Sequence, residues 1–234
     1  MVSSKTRAEM EVIHSQLALS DPFVAENGGG IFFPPESSLN PPPGSFLDKG
    51  LWKWSLGIPY HQLTRALHDI IAELGWNARG FSQMDIQEIS HLTGLGLENS
   101  RLAAMREYDE PFLILAPERP ELGLLHASAA QRGLKVSVGG RFCHLQGQND
   151  KGVAMQRLLA MYRRTHRGVL SIALGDSQND FSMLEGADYP VLVRSEKNFG
   201  TLEMDNPRLV VTRKPGPAGW NTAIMDILGE EEGE

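Results

Sequence analysis

Residues 169–174, Val-Leu-Ser-Ile-Ala-Leu, form a near-continuous apolar run that stops at Gly175-Asp176. A short run of this kind suits a strand buried on both faces. A helix is expected before it, over 150–165, with Val153, Leu158, Leu159 and Tyr162. After it the pattern gives a helix over about 178–186, a strand at 189–193, another near 208–212 and a helix over about 217–228. Strands that alternate with helices in this way call for an α/β layer built on a parallel sheet.

The first 148 residues have a different rhythm. Thr6-Arg7-Ala8-Glu9 is a capping box, in which Thr6 accepts from an early helical N–H and Glu9 reaches back. Met10, Ile13 and Leu17 continue it as a helix over 7–18, so Met1-Val2 read as the stump of a strand. Phe23-Val24-Ala25 and Ile31-Phe32-Phe33 read as two short strands around Glu26-Asn27-Gly28-Gly29-Gly30. The stretch 34–45 holds five of the 14 prolines, a stiff connection that suits a domain boundary. Beyond it, Leu63, Leu67, Ile70, Ile71 and Leu74 mark a helix over 59–74 that Gly75 stops. Helices from Asp85 and over 97–106, a strand at 112–115, a helix over 118–132, and strands at 134–138 and 142–145 follow. Trp52, Trp54, Trp76 and Trp220 read as core or interdomain packing.

Composition narrows the classes. With 234 residues the chain makes one large domain or two small ones. A net charge of −7 and a pI near 5.5 exclude a broad electrostatic footprint for nucleic acid, while a small basic pocket for a phosphorylated metabolite remains open. Cys143 is the only cysteine; it forms no internal disulfide and reads as a small buried hydrophobe. No apolar run reaches the ~18 residues of a membrane span, and residues 1–20 lack the apolar stretch of a signal peptide. A cytoplasmic protein without a membrane or nucleic-acid partner is expected.

Chemistry concentrates in a few places. Asp176 leaves the carboxyl end of the buried strand, where open parallel sheets bind ligands. Asp180 lies four residues on, and two hard oxygen donors there suit Mg²⁺; a helix cap and a dipole-favoured carboxylate account for the same pair. Lys151 opens a helix against the macrodipole, either as an ammonium that neutralises a phosphate or as a solvated side chain. Ser3, Ser4, Lys5 and Thr6 stand between a strand end and a helix N-terminus, an arrangement that serves anion binding and capping alike. Arg106-Glu107, Gly139-Gly140-Arg141 and His144 fit either carboxylate or phosphate recognition or plain surface ion pairing.

Taken together, SSKTRAE at 3–9, FVAENGGGIF at 23–32, LTGLGLENSRLAAMRE at 92–107, GGRFCHLQGQNDKG at 139–152, GDSQND at 175–180 and KPGPAGWN at 214–221 resemble the haloacid dehalogenase-superfamily phosphatases with a C2-type cap. The mannosyl-3-phosphoglycerate phosphatase group is the most similar. The resemblance implies a Rossmannoid α/β core from residues 1–44 and 149–234 and an inserted α+β cap over 45–148. It implies an Mg²⁺-dependent phosphate-monoester hydrolase acting on a small phosphorylated sugar or glycerate through an aspartyl-phosphate. On this resemblance Ser3 is the phosphate-binding hydroxyl and Lys151 the phosphate-neutralising lysine. Asp176 is the Mg²⁺ ligand and Asp180 the second acid supporting the metal. Ser4, Lys5, Glu26, Asn27, Arg106, Glu107, Gly140, Arg141 and His144 would then contact substrate.

One element of the family pattern is missing. No two Asp residues lie two apart, so the nucleophile and acid/base of the family's Asp-x-Asp have no counterpart. The sequence starts inside the second motif, as a truncated form without the first core strand would, and turnover by this chain alone is expected to be nearly absent. Two alternatives stand beside this reading: a non-catalytic phosphometabolite-binding protein, and a general sugar phosphatase of the same superfamily.

Overall fold

The computed structural model describes residues 1–138, 141–195 and 206–231, which divide into two compact units, Met1–Asn149 and Asp150–Glu234. The acidic tail over 232–234 and the Gly139-Gly140 pair lie outside the described residues.

In the first unit, α1 (Arg7–Gln16) starts at Thr6, and the capping box with Glu9 is formed as the sequence requires. The strands β1 (Phe23–Ala25) and β2 (Gly30–Phe33) pair antiparallel around a turn at Glu26–Gly28. Glu26 and Asn27 both take positive φ there, 48° and 55°. The expected strand stump is present as a parallel bridge from Val2 to Val24. The proline-rich stretch leads into a hairpin of β3 (Phe46–Asp48) and β4 (Leu51–Ser55). The hairpin joins β2, giving a sheet of order β1-β2-β4-β3.

The second sheet of this unit is built around α2 (Tyr60–Leu74), whose C-cap Gly75 has φ 65°. It contains β5 (Asn77–Gly80), β6 (Asp109–Ala116), β7 (Lys135–Val138) and β8 (Cys143–Gln146) in the order β5-β6-β8-β7, all antiparallel. The helices α3 (Ile86–Thr93) and α4 (Leu97–Ala104) fall between β5 and β6, and α5 (Leu122–Gln131) between β6 and β7. Leu63, Leu67 and Ile70 of α2 pack with Phe112, Leu125, Val136, Cys143 and Leu145 as one core. A smaller cluster joins Met10, Phe23, Ala25, Phe32 and Tyr108. Burial pushes the Cys143 thiol above its ordinary pKa, as suits a small hydrophobe.

The second unit has α6 (Lys151–Thr165), β9 (Ile172–Gly175), a 3-10 turn at Gln178–Asp180, α7 (Phe181–Glu185), β10 (Tyr189–Arg194), β11 (Val210–Pro215) and α8 (Gly216–Glu231). The three strands are parallel in the order β11-β10-β9. Val191 and Val193 pack on Ala223 and Ile227 of α8.

The structure corrects three expectations. The strand read over 169–174 is the shorter β9, and Leu170 is 52% exposed. Among the described residues β9 pairs only with β10, so burial alternates along it instead of holding on both faces. Trp52 and Trp220 are 39% and 47% exposed, not packed into a core as expected. Finally, β3, β4 and β5 are elements that the periodicity did not supply.

Gly175 has no room for a side chain, since a Cβ there would lie 2.3 Å from Asp180 Cβ. Gly175→Ala is expected to lower unfolding free energy by about 1–3 kcal/mol. Leu145→Ala, in the α2 core, should cost about 2–5 kcal/mol. Urea denaturation checks both values; an unchanged midpoint for either variant would contradict the packing described.

Candidate active site

In the second unit the strand end and the start of α6 meet around one ion pair. Asp150 is the N-cap of α6: its Oδ1 accepts from Val153 N at 3.1 Å, and its Oδ2 accepts from Ser182 Oγ at 2.8 Å. This fixes Lys151 in the first turn, where its ammonium donates to Asp180 Oδ1 at 2.6 Å. Both side chains are buried, at 8% and 7% exposure. The other Asp180 oxygen accepts from Asp176 N at 3.1 Å, Ser177 N at 3.2 Å and Ser177 Oγ at 2.9 Å. Asp180 thus holds the loop that carries Asp176, while Asp176 itself is exposed beyond the end of β9. Taking an ion pair out of water is costly unless its remaining valences are satisfied, and here the donors around Asp180 do so.

The same residues answer whether a divalent cation fits. No group of three or more His, Cys, Asp or Glu gathers among the described residues. Mg²⁺, however, is held by one or two carboxylates together with water and phosphate oxygens. An exposed Asp176 carboxylate at a strand end, braced by Asp180, meets that requirement.

In the first unit the structure sorts the remaining candidates. Ser3 Oγ accepts from Lys5 N at 3.2 Å, and Ser3 O accepts from Asn27 N at 3.1 Å. Ser4 and Lys5 are exposed, and the Lys5 ammonium donates to Glu9 at 2.9 Å. Arg106 donates from Nε to Ala103 O at 2.9 Å, and from Nη1 to Ser4 O at 3.4 Å and Asp109 Oδ2 at 3.1 Å. His144 Nδ1 reaches the same Asp109 oxygen at 2.8 Å. Ser4, Lys5, Arg106 and His144 share the wall of one cleft of about 210 Å³.

Glu26, Asn27, Glu107 and Arg141, expected at the substrate, are held by contacts within the chain. The Glu26 carboxylate is fully buried, with Oε2 accepting from Glu107 N at 3.1 Å and Tyr108 N at 2.8 Å; it braces the chain instead of facing a ligand. Asn27 is buried in the same turn, and its carbonyl accepts from Asn149 Nδ2. Glu107 accepts from Lys53 at 2.8 Å and Arg7 at 3.1 Å, inside an ion-pair network that includes Asp48. The Arg141 guanidinium donates to Leu92 O. Gly140 lies outside the described residues.

Sequence reasoning missed Asp109 and Asn149. Asp109 falls three residues after Arg106, directly before Glu110, and two acids opening an apolar strand were a usable signal. Asn149 gave none, since its role is to donate to the Glu26 and Asn27 carbonyls far away in sequence.

Burial raises the Glu26 pKa from 4.5 to about 7, against the lowering effects of Arg106 and the two backbone N–H groups. The fold therefore favours the neutral acid. Its contribution is fully present below pH 4.5 and is lost as pH rises through about 7. Glu26→Gln keeps an acceptor where Oε2 lies and carries no charge. It is expected to gain stability relative to the unsubstituted chain between pH 5 and pH 8, read from urea unfolding at each pH. A constant difference across that range would contradict the assignment.

Comparison with known proteins adds the family context. Residues 144–198 match the haloacid dehalogenase-like hydrolase family. The chain is 38% identical to the glucosyl-3-phosphoglycerate/mannosyl-3-phosphoglycerate phosphatase of Methanococcoides burtonii, over 97% of this chain and 84% of that protein. It is 34% identical to the mannosyl-3-phosphoglycerate phosphatase of Pyrococcus furiosus, over 97% and 83%. Among solved structures, a phosphatase of the same superfamily from Bacteroides thetaiotaomicron superposes with a TM-score of 0.60 at 16% identity, over 96% of this chain and 80% of that one. A haloacid dehalogenase-like hydrolase from Bacillus subtilis gives 0.55 at 17% identity, over 90% and 81%.

Proposed function

Because the chain belongs to the glucosyl-3-phosphoglycerate/mannosyl-3-phosphoglycerate phosphatase family of haloacid dehalogenase-like hydrolases, we propose that it acts on the phosphate monoester of a glycosyl-3-phosphoglycerate in the cytoplasm. The products would be glycosylglycerate and inorganic phosphate. The observation that carries this reading is the buried Lys151–Asp180 pair braced beside an exposed Asp176. In this reading residues 1–44 and 149–234 serve as core and 45–148 as cap.

The roles follow from the bonds already made. An ammonium has three N–H donors, and Asp180 takes one from Lys151; the others are directed to phosphate oxygens. Ser3 Oγ accepts from Lys5 N and keeps its own proton as a donor. Asp176 would hold Mg²⁺, with Asp180 fixing the loop behind it. When bound, the ion opposes charge that builds on the phosphoryl oxygens. Preorganised charge is the principal source of rate enhancement at such sites, so these residues would set affinity and activation together. No helix among the described residues is long and apolar enough to cross a membrane.

A second reading, a phosphometabolite-binding protein without turnover, would use the same Lys151, Asp180 and Asp176. Incubation with mannosyl-3-phosphoglycerate and Mg²⁺ separates the two. Released phosphate, from this chain or from one joined to the family's Asp-x-Asp segment, supports the phosphatase; saturable binding without release from either supports the binding protein.

Both readings place phosphate at Lys151. Lys151→Ala is expected to weaken inorganic phosphate binding at least about tenfold, the scale of a lost charge-assisted contact. Asp176→Asn is expected to abolish the dependence of that binding on Mg²⁺. Isothermal titration measures both effects; phosphate affinity and Mg²⁺ dependence unchanged in the two variants would refute the site.

A further inference from the structure

Asp109 opens β6 with a side chain only 1% exposed, yet a single oxygen does all its visible work. Oδ2 accepts from Arg106 Nη1 at 3.1 Å and faces His144 Nδ1 at 2.8 Å, while Oδ1 is buried with no hydrogen-bond partner among the described residues. A carboxylate oxygen left bare in the interior is destabilising, because its lost hydration is not replaced. A purely structural acid would be replaced at less expense by an apolar side chain, so the position points to a function for the two groups it holds.

Those two groups share a cleft wall. Arg106 is pinned through Nε and Nη1, its guanidinium lies 6.0 Å from the Phe81 ring, and Nη2 makes no hydrogen bond among the described residues. Phe81 meets Phe142 edge-on with centroids 5.1 Å apart, closing the apolar side of the cleft. The volume of about 210 Å³ corresponds to on the order of seven waters, enough for a three-carbon acid. A planar guanidinium fixed on a carboxylate and an aromatic face is the geometry that recognises another carboxylate.

We propose that Asp109 is a positioning residue that holds Arg106 and His144 as the anchor for the glycerate carboxylate of the ligand. This rests on the glycosyl-3-phosphoglycerate reading, but it concerns the C1 carboxylate of the glycerate and not the phosphate on its C3. Selectivity for an acid over the matching alcohol then resides in this cleft, independently of Lys151 and Asp176.

The test uses two phosphate-free glycosides, glucosylglycerate and glucosylglycerol, titrated calorimetrically into the full chain. The unsubstituted chain should prefer glucosylglycerate by at least about tenfold, the scale of a hydrogen bond to a charged group. Asp109→Asn and Arg106→Lys should each remove that preference while inorganic phosphate binding stays unchanged. A merely structural role for Asp109 would instead weaken phosphate and both glycosides together, and that outcome overturns the proposal. Equal affinity for the two glycosides, no binding of glucosylglycerate, or an intact preference in Arg106→Lys overturns it as well. Should Asp109→Asn not fold, Arg106→Lys and His144→Gln give the same readout. Loss of the phosphate site alone would appear as absent phosphate binding with the glycoside preference retained.

Discussion

The buried contact between Lys151 and Asp180 is the constraint on which the second unit's chemistry depends. Two opposite charges are kept from water at 2.6 Å, and everything within reach serves to make that tolerable. Asp150 caps the helix that presents the lysine, Ser182 ties that cap to the following segment, and three donors from the Asp176–Ser177 loop close the far side of Asp180. The lack of space at Gly175 and Gly152 follows from the same closeness, since a Cβ at Gly152 would lie 2.4 Å from Ser182 O. Breaking such a pair leaves an uncompensated buried charge, which is far more costly than never building one. An exposed Asp176 at the end of β9 is thereby carried on a loop tied to Asp180 through two backbone N–H groups.

The first unit repeats the principle with different partners. Glu26 organises the segment before β6 by accepting two backbone N–H groups, and its turn is closed from the other side by Asn149. Arg7, Lys53, Asp48 and Glu107 form a second charged network between α1, the β3–β4 hairpin and the residue-107 segment. Residues that a motif comparison assigns to substrate are therefore of two kinds. Glu26 and Glu107 shape the backbone, while Arg106 and His144 stand in a cleft. Both kinds lie close in sequence, and only their hydrogen bonds tell them apart.

How much of this was legible in the sequence differed by element. The capping box at Thr6, the apolar stripe of α2, the stop at Gly75 and the parallel order of β9–β11 follow from local pattern, and each is present, though β9 is shorter than the apolar run that marks it. The pairing of Lys151 with Asp180 was not legible, because a residue opening a helix and one 29 positions later meet through tertiary packing. The β3–β4 hairpin was missed although Leu51–Ser55 alternates, since the preceding prolines dominated the reading. Burial on both faces of β9 was overestimated, because apolarity alone does not reveal how many neighbours a strand has. Asp109 escaped attention for a related reason: a buried acid is recognised by its partners, and those come from α4's exit and from β8.

The most direct test of the account is a crystal structure of this chain soaked with Mn²⁺ and inorganic phosphate, with the metal located by anomalous scattering. The account predicts an anomalous peak within coordination distance of the Asp176 carboxylate and a phosphate in contact with Lys151 Nζ, with the Asp180 bond to Lys151 retained. A metal bound elsewhere, or a phosphate held without Lys151, would contradict it.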